Sequence, residues 1–228
     1  MRRLIAIAVI GLALSPVAAR AQGHGNLDDD AYDRMRAAAG LAPETREAAE
    51  GRCTYHATVW SARLRRTVRT LEVEKPKAEL RPEERGPLGC TPCREDQREI
   101  RLSNGVSFSA CARLADRLKD ALEGALADGA RVETVVGYRA QYSKGALNAG
   151  GERTELSNHA FGAALDVNEG SNGLYDRCVA WGPWRNADPL SHRPEHPVVR
   201  RMKAAGFSWG GEIAGRQKDF MHFSPTGY

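Results

Sequence analysis

The segment Ser157-Asn158-His159-Ala160-Phe161-Gly162-Ala163-Ala164-Leu165-Asp166 carries the strongest structural signal in this chain. Ala163–Val167 reads as a short apolar strand. Positions 159 and 166 differ by an odd number, so on one straight strand their side chains would face opposite ways. Gly162 offers a turn or bulge between them, which lets His159 project from a loop and Asp166 from the strand toward one point. A second segment, Asp219-Phe220-Met221-His222-Phe223, predicts a last strand over Phe220–Phe223. Asp219 and His222 converge only if the chain turns as it enters that strand. Two histidines and one carboxylate make a three-ligand zinc set with a fourth position left for water. A further carboxylate beside that water suits a general base.

The surrounding chain mixes helix and strand signals. Leu114, Leu118, Leu122 and Leu126 recur every fourth residue and predict an amphipathic helix from about residue 110 to 127, ended by Gly129. The β-branched run Arg131–Val136 predicts a buried strand. Pro197–Ala205 predicts a short helix with Val198, Val199 and Met202 inward and Gly206 at its end. Upstream, Tyr55–Trp60 and Thr67–Val73 read as strands, and Ile100–Leu102 and Val106–Phe108 flank the hairpin signal Asn104-Gly105. Glu74–Gly86, dense in charge and proline, reads as an exposed loop. Residues 22–50 hold few large apolar side chains, and a short helix over Tyr32–Ala39 is the only element expected there. Composition shifts near residue 108. The expected division is therefore an arm and cysteine-containing accessory region over 22–108, then one α+β domain over 109–228.

Bulk properties narrow the function classes. The 228 residues are 42% hydrophobic and 27% charged, which excludes a wholly disordered or fibrous chain. Thirty-three basic against 29 acidic residues give a net charge of +4, a mixed surface that makes no case for nucleic acid. The basic head Met1-Arg2-Arg3, the apolar run Leu4–Leu14 and the small-residue sequence Ala19-Arg20-Ala21 read as a signal peptide over residues 1–21. The apolar run is short for a bilayer span, which takes about 20 residues, and an uncleaved anchor is the alternative reading. Without residues 1–21 the net charge falls to +1. The expected location is periplasmic or secreted, with no stable membrane insertion after cleavage.

Export makes disulfide pairing the default for the five cysteines Cys53, Cys90, Cys93, Cys111 and Cys178. Five allow at most two bridges. Cys90-Thr91-Pro92-Cys93 has redox spacing, but no thioredoxin-like βαβ pattern surrounds it, and without a second C-x-x-C a four-cysteine zinc site is excluded. Ser191-His192-Arg193-Pro194-Glu195-His196-Pro197 contains the letters H-x-x-E-H of an inverted zincin. That motif needs a helix to put both histidines on one face, and a proline inside a helix costs about 3 kcal/mol, so it is rejected as a metal site.

Ser157-x-His159-x-x-Gly162-x-Ala164-x-Asp166, then Trp209-Gly210-Gly211 and Asp219-x-Met221-His222-Phe223, together resemble the M15 zinc peptidases. That family includes D-alanyl-D-alanine carboxypeptidases, vancomycin-resistance D,D-dipeptidases and the L-alanyl-D-glutamate endopeptidases of phage endolysins. Gly137-Tyr138-Arg139, with Gln141 after it, matches the family's upstream element, so the resemblance covers about residues 131–223. Extensin-like carboxy-terminal domains are more loosely similar. The resemblance implies an α+β fold of the hedgehog and D-Ala-D-Ala peptidase kind, helices against a small antiparallel sheet with the metal at its edge. It implies that His159, Asp166 and His222 bind Zn²⁺. Asp219 becomes the general base and acid, and Arg139 binds substrate or steadies the oxyanion. Ser157 hydrogen-bonds the peptide and Trp209 lines the site. The implied substrates are peptidoglycan stem peptides, cut by a D,D-carboxypeptidase or an L,D-type endopeptidase. Two features depart from the pattern: Glu212 stands where Asp is expected, and Ser143–Leu156 is a Gly- and charge-rich insert expected to form a mobile lip. The alternatives are a non-catalytic zinc-binding module for cell-wall or protein partners, as hedgehog domains illustrate, and a disulfide oxidoreductase built on Cys90 and Cys93. Oligomeric state is not legible in the sequence.

Overall fold

The computed structural model describes residues 51–175 and 188–227. The signal-peptide segment, the helix expected over Tyr32–Ala39 and Cys178 lie outside these residues.

Strand β1 (Arg52–Ser61) alternates strictly, with Cys53, Tyr55, Ala57, Val59 and Ser61 turned inward. It forms an antiparallel hairpin with β2 (Arg66–Pro76), and β3 (Gln97–Arg101) pairs β4 (Ser107–Cys111) across the Asn104-Gly105 turn. Helix α1 (Ala115–Ala127) follows; Leu114, Leu118 and Leu122 are fully buried and Leu126 partly so. The helix starts later than its leucine spacing suggests. The hairpin ladder runs on to Gln97↔Cys111, so Ala110 and Cys111 belong to a strand. Helix α2 (Pro197–Ala204) buries Val198, Val199 and Met202 and packs against α1, where Arg201 grips Asp128 through two 2.8 Å bonds.

Two four-stranded sheets frame the candidate site. The first has the order β2-β1-β6-β7, with β6 (Gln141–Leu147) parallel to β1 and antiparallel to β7 (Arg153–Leu156). The stretch expected as a mobile lip is thus paired sheet. Asn148 closes its turn, its Oδ1 accepting from the amides of Gly150 and Glu152. Pairing of β1 with β6 crosses residue 108, and one cluster of buried side chains runs from Cys53 to Phe223. The second sheet has the order β10-β12-β8-β5, with β5 (Val135–Val136), β8 (Leu165–Val167), β10 (Ser208–Trp209) and β12 (His222–Ser224). Of the strand expected over 131–136, only Val135 and Val136 pair. The amides of Glu133 and Thr134 instead donate to the side chain of Asn168. A two-stranded piece joins β9 (Leu174–Tyr175) to β11 (Lys218–Asp219).

The Glu74–Gly86 stretch also departs from an exposed loop. β2 continues to Pro76, and Glu84 is buried, accepting from Tyr55 Oη at 2.5 Å, Lys75 Nζ at 2.5 Å and the Arg81 amide at 2.9 Å. Burial alone would raise its pKa, but these donors outweigh it and hold the carboxyl down at about 2.

Two disulfides, Cys53–Cys93 and Cys90–Cys111, tie the 90–93 segment to β1 and to the end of β4. The two cysteines of the C-x-x-C therefore sit in separate bridges, which removes the oxidoreductase alternative. The bridges close separations of 40 and 21 residues. Loops of that size predict a loss of about 4 kcal/mol for the first bridge and about 3 kcal/mol for the second. Urea unfolding of the Cys90→Ser/Cys111→Ser double variant checks this. An unchanged midpoint would show that the bridge adds nothing.

Candidate metal centre

The three donors arrive from two kinds of local structure. β8 and β12 are antiparallel neighbours in a register that sets His222 directly opposite Asp166. Directly opposed residues project side by side from the same face of a sheet. His159 comes from a 3-10 turn, Asn158–Phe161, closed by Gly162 at φ +62°. A Cβ on Gly162 would lie 2.0 Å from Gln97 Oε1 and 2.4 Å from the Cys111 nitrogen, so both the backbone conformation and the space demand glycine. The Gly162 carbonyl accepts from the Cys111 amide at 2.9 Å, tying the turn to the disulfide region.

The donor atoms face one another at short range. His159 Nε2 and His222 Nδ1 each lie 3.1 Å from Asp166 Oδ1, and 3.3 Å from each other. All three side chains are buried. His159 Nδ1 lies 2.9 Å from the Gly137 carbonyl. A carbonyl only accepts, so Nδ1 carries the proton and Nε2 presents its lone pair to the cluster. Arg139 donates at 3.0 Å to Asp166 Oδ2, which orients Oδ1 toward the histidines. Burial holds the His222 pKa below its ordinary value, keeping the ring neutral. For Asp166, burial pushes the carboxyl up, but the two imidazoles beside it, His159 and His222, outweigh it and keep it well below the usual carboxylate range.

These features fit a metal ion. In a tetrahedral site with bonds of about 2.0 Å, neighbouring ligand atoms stand about 3.3 Å apart. The observed separations of 3.1–3.3 Å match that edge length. The ring proton of His159 is already parked on a carbonyl, the usual outer support of a metal-binding histidine.

Asp219 stands next to this group on β11. It is 4% exposed, and its Oδ1 has no hydrogen-bond partner among the described residues. Burial first, then the charge of Asp166, raises its pKa to about 7, against the opposing pull of Arg139. The chain turns through Phe220 and Met221 between β11 and β12, and this turn is what brings Asp219 and His222 to one side. A Cβ on Gly210 would lie 2.2 Å from the Asp219 carbonyl, so glycine at 210 lets the two backbones touch.

The remaining site candidates are placed less uniformly. Arg139 is half exposed and uses one nitrogen on Asp166. Ser157 precedes the His159 turn and is largely buried; its hydroxyl makes no capping bond there. Trp209 is 2% exposed, and its indole N–H donates to the Phe220 carbonyl at 2.9 Å, beneath the turn rather than in an open cleft. His192 and His196 are not in the donor set. His196 caps α2, its Nδ1 accepting from the Val198 amide. Lys144 of β6 exerts a like-charge effect on His222, a neighbour that spacing alone does not disclose. The Gly137 carbonyl is a second unforeseen contributor, because a main-chain acceptor leaves no mark in side-chain patterns.

A mixed α+β framework holding a buried His-Asp-His group that could bind a metal, with a second carboxyl beside it, has the make-up of a metallohydrolase centre. Residues 150–225, one third of the chain, match the family model described as D-alanyl-D-alanine carboxypeptidase. That segment is similar to M15-family peptidases, and it contains His159, Asp166, Asp219 and His222. Comparison with curated proteins and with solved structures found no match.

Proposed function

We propose that the protein is an exported zinc peptidase that hydrolyses peptidoglycan stem peptides, as a D,D-carboxypeptidase or an L,D-type endopeptidase. The observation that carries this reading is the donor triangle of 3.1–3.3 Å beside a buried carboxyl. His159, Asp166 and His222 would hold the ion. When bound, zinc acidifies water to a pKa near 7 and polarises a carbonyl as a Lewis acid. Asp219 takes the proton of the attacking water and returns it to the leaving amine; a carboxyl poised near neutrality does both. Among the described residues Arg139 uses one nitrogen on Asp166, and its exposed side offers further donors to the oxyanion or to a substrate carboxylate. The Ser157 hydroxyl holds the peptide. Residues 109–228 carry the chemistry, and 22–108 serve as an accessory region stapled to it. Two disulfides, with an amino terminus of signal-peptide pattern, support an oxidising periplasmic or secreted setting.

Digestion of purified peptidoglycan with and without a chelator, with the fragments weighed by mass spectrometry, tests this reading and identifies the bond. Zinc binding without turnover would instead favour the binding-module alternative, in which Asp219 has no use.

Asp219 also predicts a pH effect in the metal-free protein. Its folded pKa of about 7 lies above the unfolded value of about 3.9, so folding favours the protonated form. The resulting stability is complete below the unfolded value and is lost as pH rises through 7. Asp219→Asn has no such loss. The metal-free variant should therefore gain on the parent by about 4 kcal/mol between pH 4 and 8. Asp166 is common to both proteins and cancels. Thermal unfolding across that range checks the sign; a gap that fails to grow with pH contradicts it.

A further inference from the structure

We propose that His192 and Trp209 are positioning residues that clamp the Phe220 carbonyl and so set the turn carrying Asp219 and His222. The proposal rests on the zinc-peptidase reading above. Phe220 lies between the base and the last ligand. Its carbonyl oxygen accepts twice, from His192 Nδ1 at 2.8 Å and from Trp209 Nε1 at 2.9 Å. Both donors are buried, at 3% and 2% exposure. Because a carbonyl only accepts, the His192 proton must sit on Nδ1. Its Nε2 is then left without a hydrogen-bond partner among the described residues. A buried imidazole with one unmet nitrogen is expensive to keep, and a plain apolar side chain would fill the space without that cost. What histidine adds here is one N–H aimed at the turn. Burial drives its pKa down to about 3, so the ring stays neutral with a single N–H.

His192 is itself anchored to the opposite side of the centre. Its amide donates at 2.7 Å to Asn172 Oδ1, and Asn172 Nδ2 donates to the carbonyls of Asn168 and Leu190. Asn168 lies two residues beyond Asp166, and its side chain bonds the Arg131 carbonyl and the amides of Glu133 and Thr134. A continuous polar chain thus runs from the end of β8, which carries Asp166, through Asn168, Asn172 and His192, to the carbonyl between Asp219 and His222. Trp209 closes the other side, on the strand paired to β12 with Trp209 opposite Phe223. The two donors pin the turn relative to the strand holding the third ligand, which is how outer partners govern metal sites.

The full chain is tested with Trp209→Phe, which keeps an aromatic ring and removes the N–H, with His192→Leu, and with His192→Asn, whose amide can donate near the Nδ1 position. Zinc affinity of the metal-free protein is measured by chelator competition, alongside kcat, KM and Tm. Trp209→Phe and His192→Leu are expected to weaken zinc and lower kcat by about tenfold each, with KM little changed, and His192→Asn to recover most of the loss. Variants that fold and stay within about threefold of the parent in zinc affinity and kcat overturn the clamp, whatever happens to Tm. A rise in KM alone on Trp209→Phe also overturns it, since that marks a substrate contact. Should His192→Leu not fold, Trp209→Phe decides. If the parent itself neither binds zinc nor turns over muropeptides, the peptidase reading fails and the clamp falls with it; an active parent with unaffected variants sinks the clamp alone.

Discussion

Asp219→Ala is expected to lower kcat on muropeptide substrates by a factor of about 10²–10⁴ while the protein still folds and binds zinc. The side chain is not one of the three donors that face one another, so its removal leaves the donor triangle intact. It does remove a carboxyl whose pKa of about 7 lets it both accept and release a proton near neutral pH. Losing a buried acid with an unmatched Oδ1 costs the fold little and relieves the charge it would carry at high pH. Steady-state kinetics with zinc content measured on the same sample is the check. A variant with full activity would remove Asp219 from the mechanism. One that has lost its zinc would make it a structural partner of the ligands instead.

Removing the ion or one of its ligands should have an effect of at least comparable size. His159→Ala deletes a donor held to within 3.3 Å of both partners and leaves the Gly137 carbonyl without its ring N–H. Lewis-acid stabilisation is worth several kcal/mol in the transition state, so turnover is expected to drop by about 10³-fold or more. Zinc added back should restore the chelated parent but not the variant. Chelator-resistant hydrolysis by the parent would show that the triangle is not where the chemistry happens. Read together with Asp219→Ala, the pair separates holding the ion from moving the proton.

Much of the centre was legible in the order of residues because its geometry depends on short-range rules. Gly162 between His159 and Asp166 marks a reversal, and the reversal is there, at positive φ. The leucine stripe of α1 and the inward Val198, Val199 and Met202 of α2 follow from helical period. Where local rules misled, long-range pairing had overridden them. Ser143–Leu156 looks loose by composition but is held as β6 and β7 beside β1, whose sequence lies more than 80 residues upstream. Residues 131–134 look like strand but surrender two amides to Asn168. Trp209 carries a family expectation of lining the site, yet its indole is drawn under the Phe220 carbonyl. Neither the acceptor nor its depth has any signature in the letters around position 209.

Sequence alone determined which side chains were available for metal chemistry, the two short segments that present them, and the turn that lets an odd spacing converge. Those depend on residue type and on neighbours a few positions away. The tertiary structure decided the rest: the register that sets His222 across from Asp166, the carbonyl that selects the His159 tautomer, the burial that lifts Asp219 to about 7, and the pairing of four cysteines into two bridges. Each is a sum over groups tens of residues apart, and desolvation in particular exists only once the chain has closed around the group.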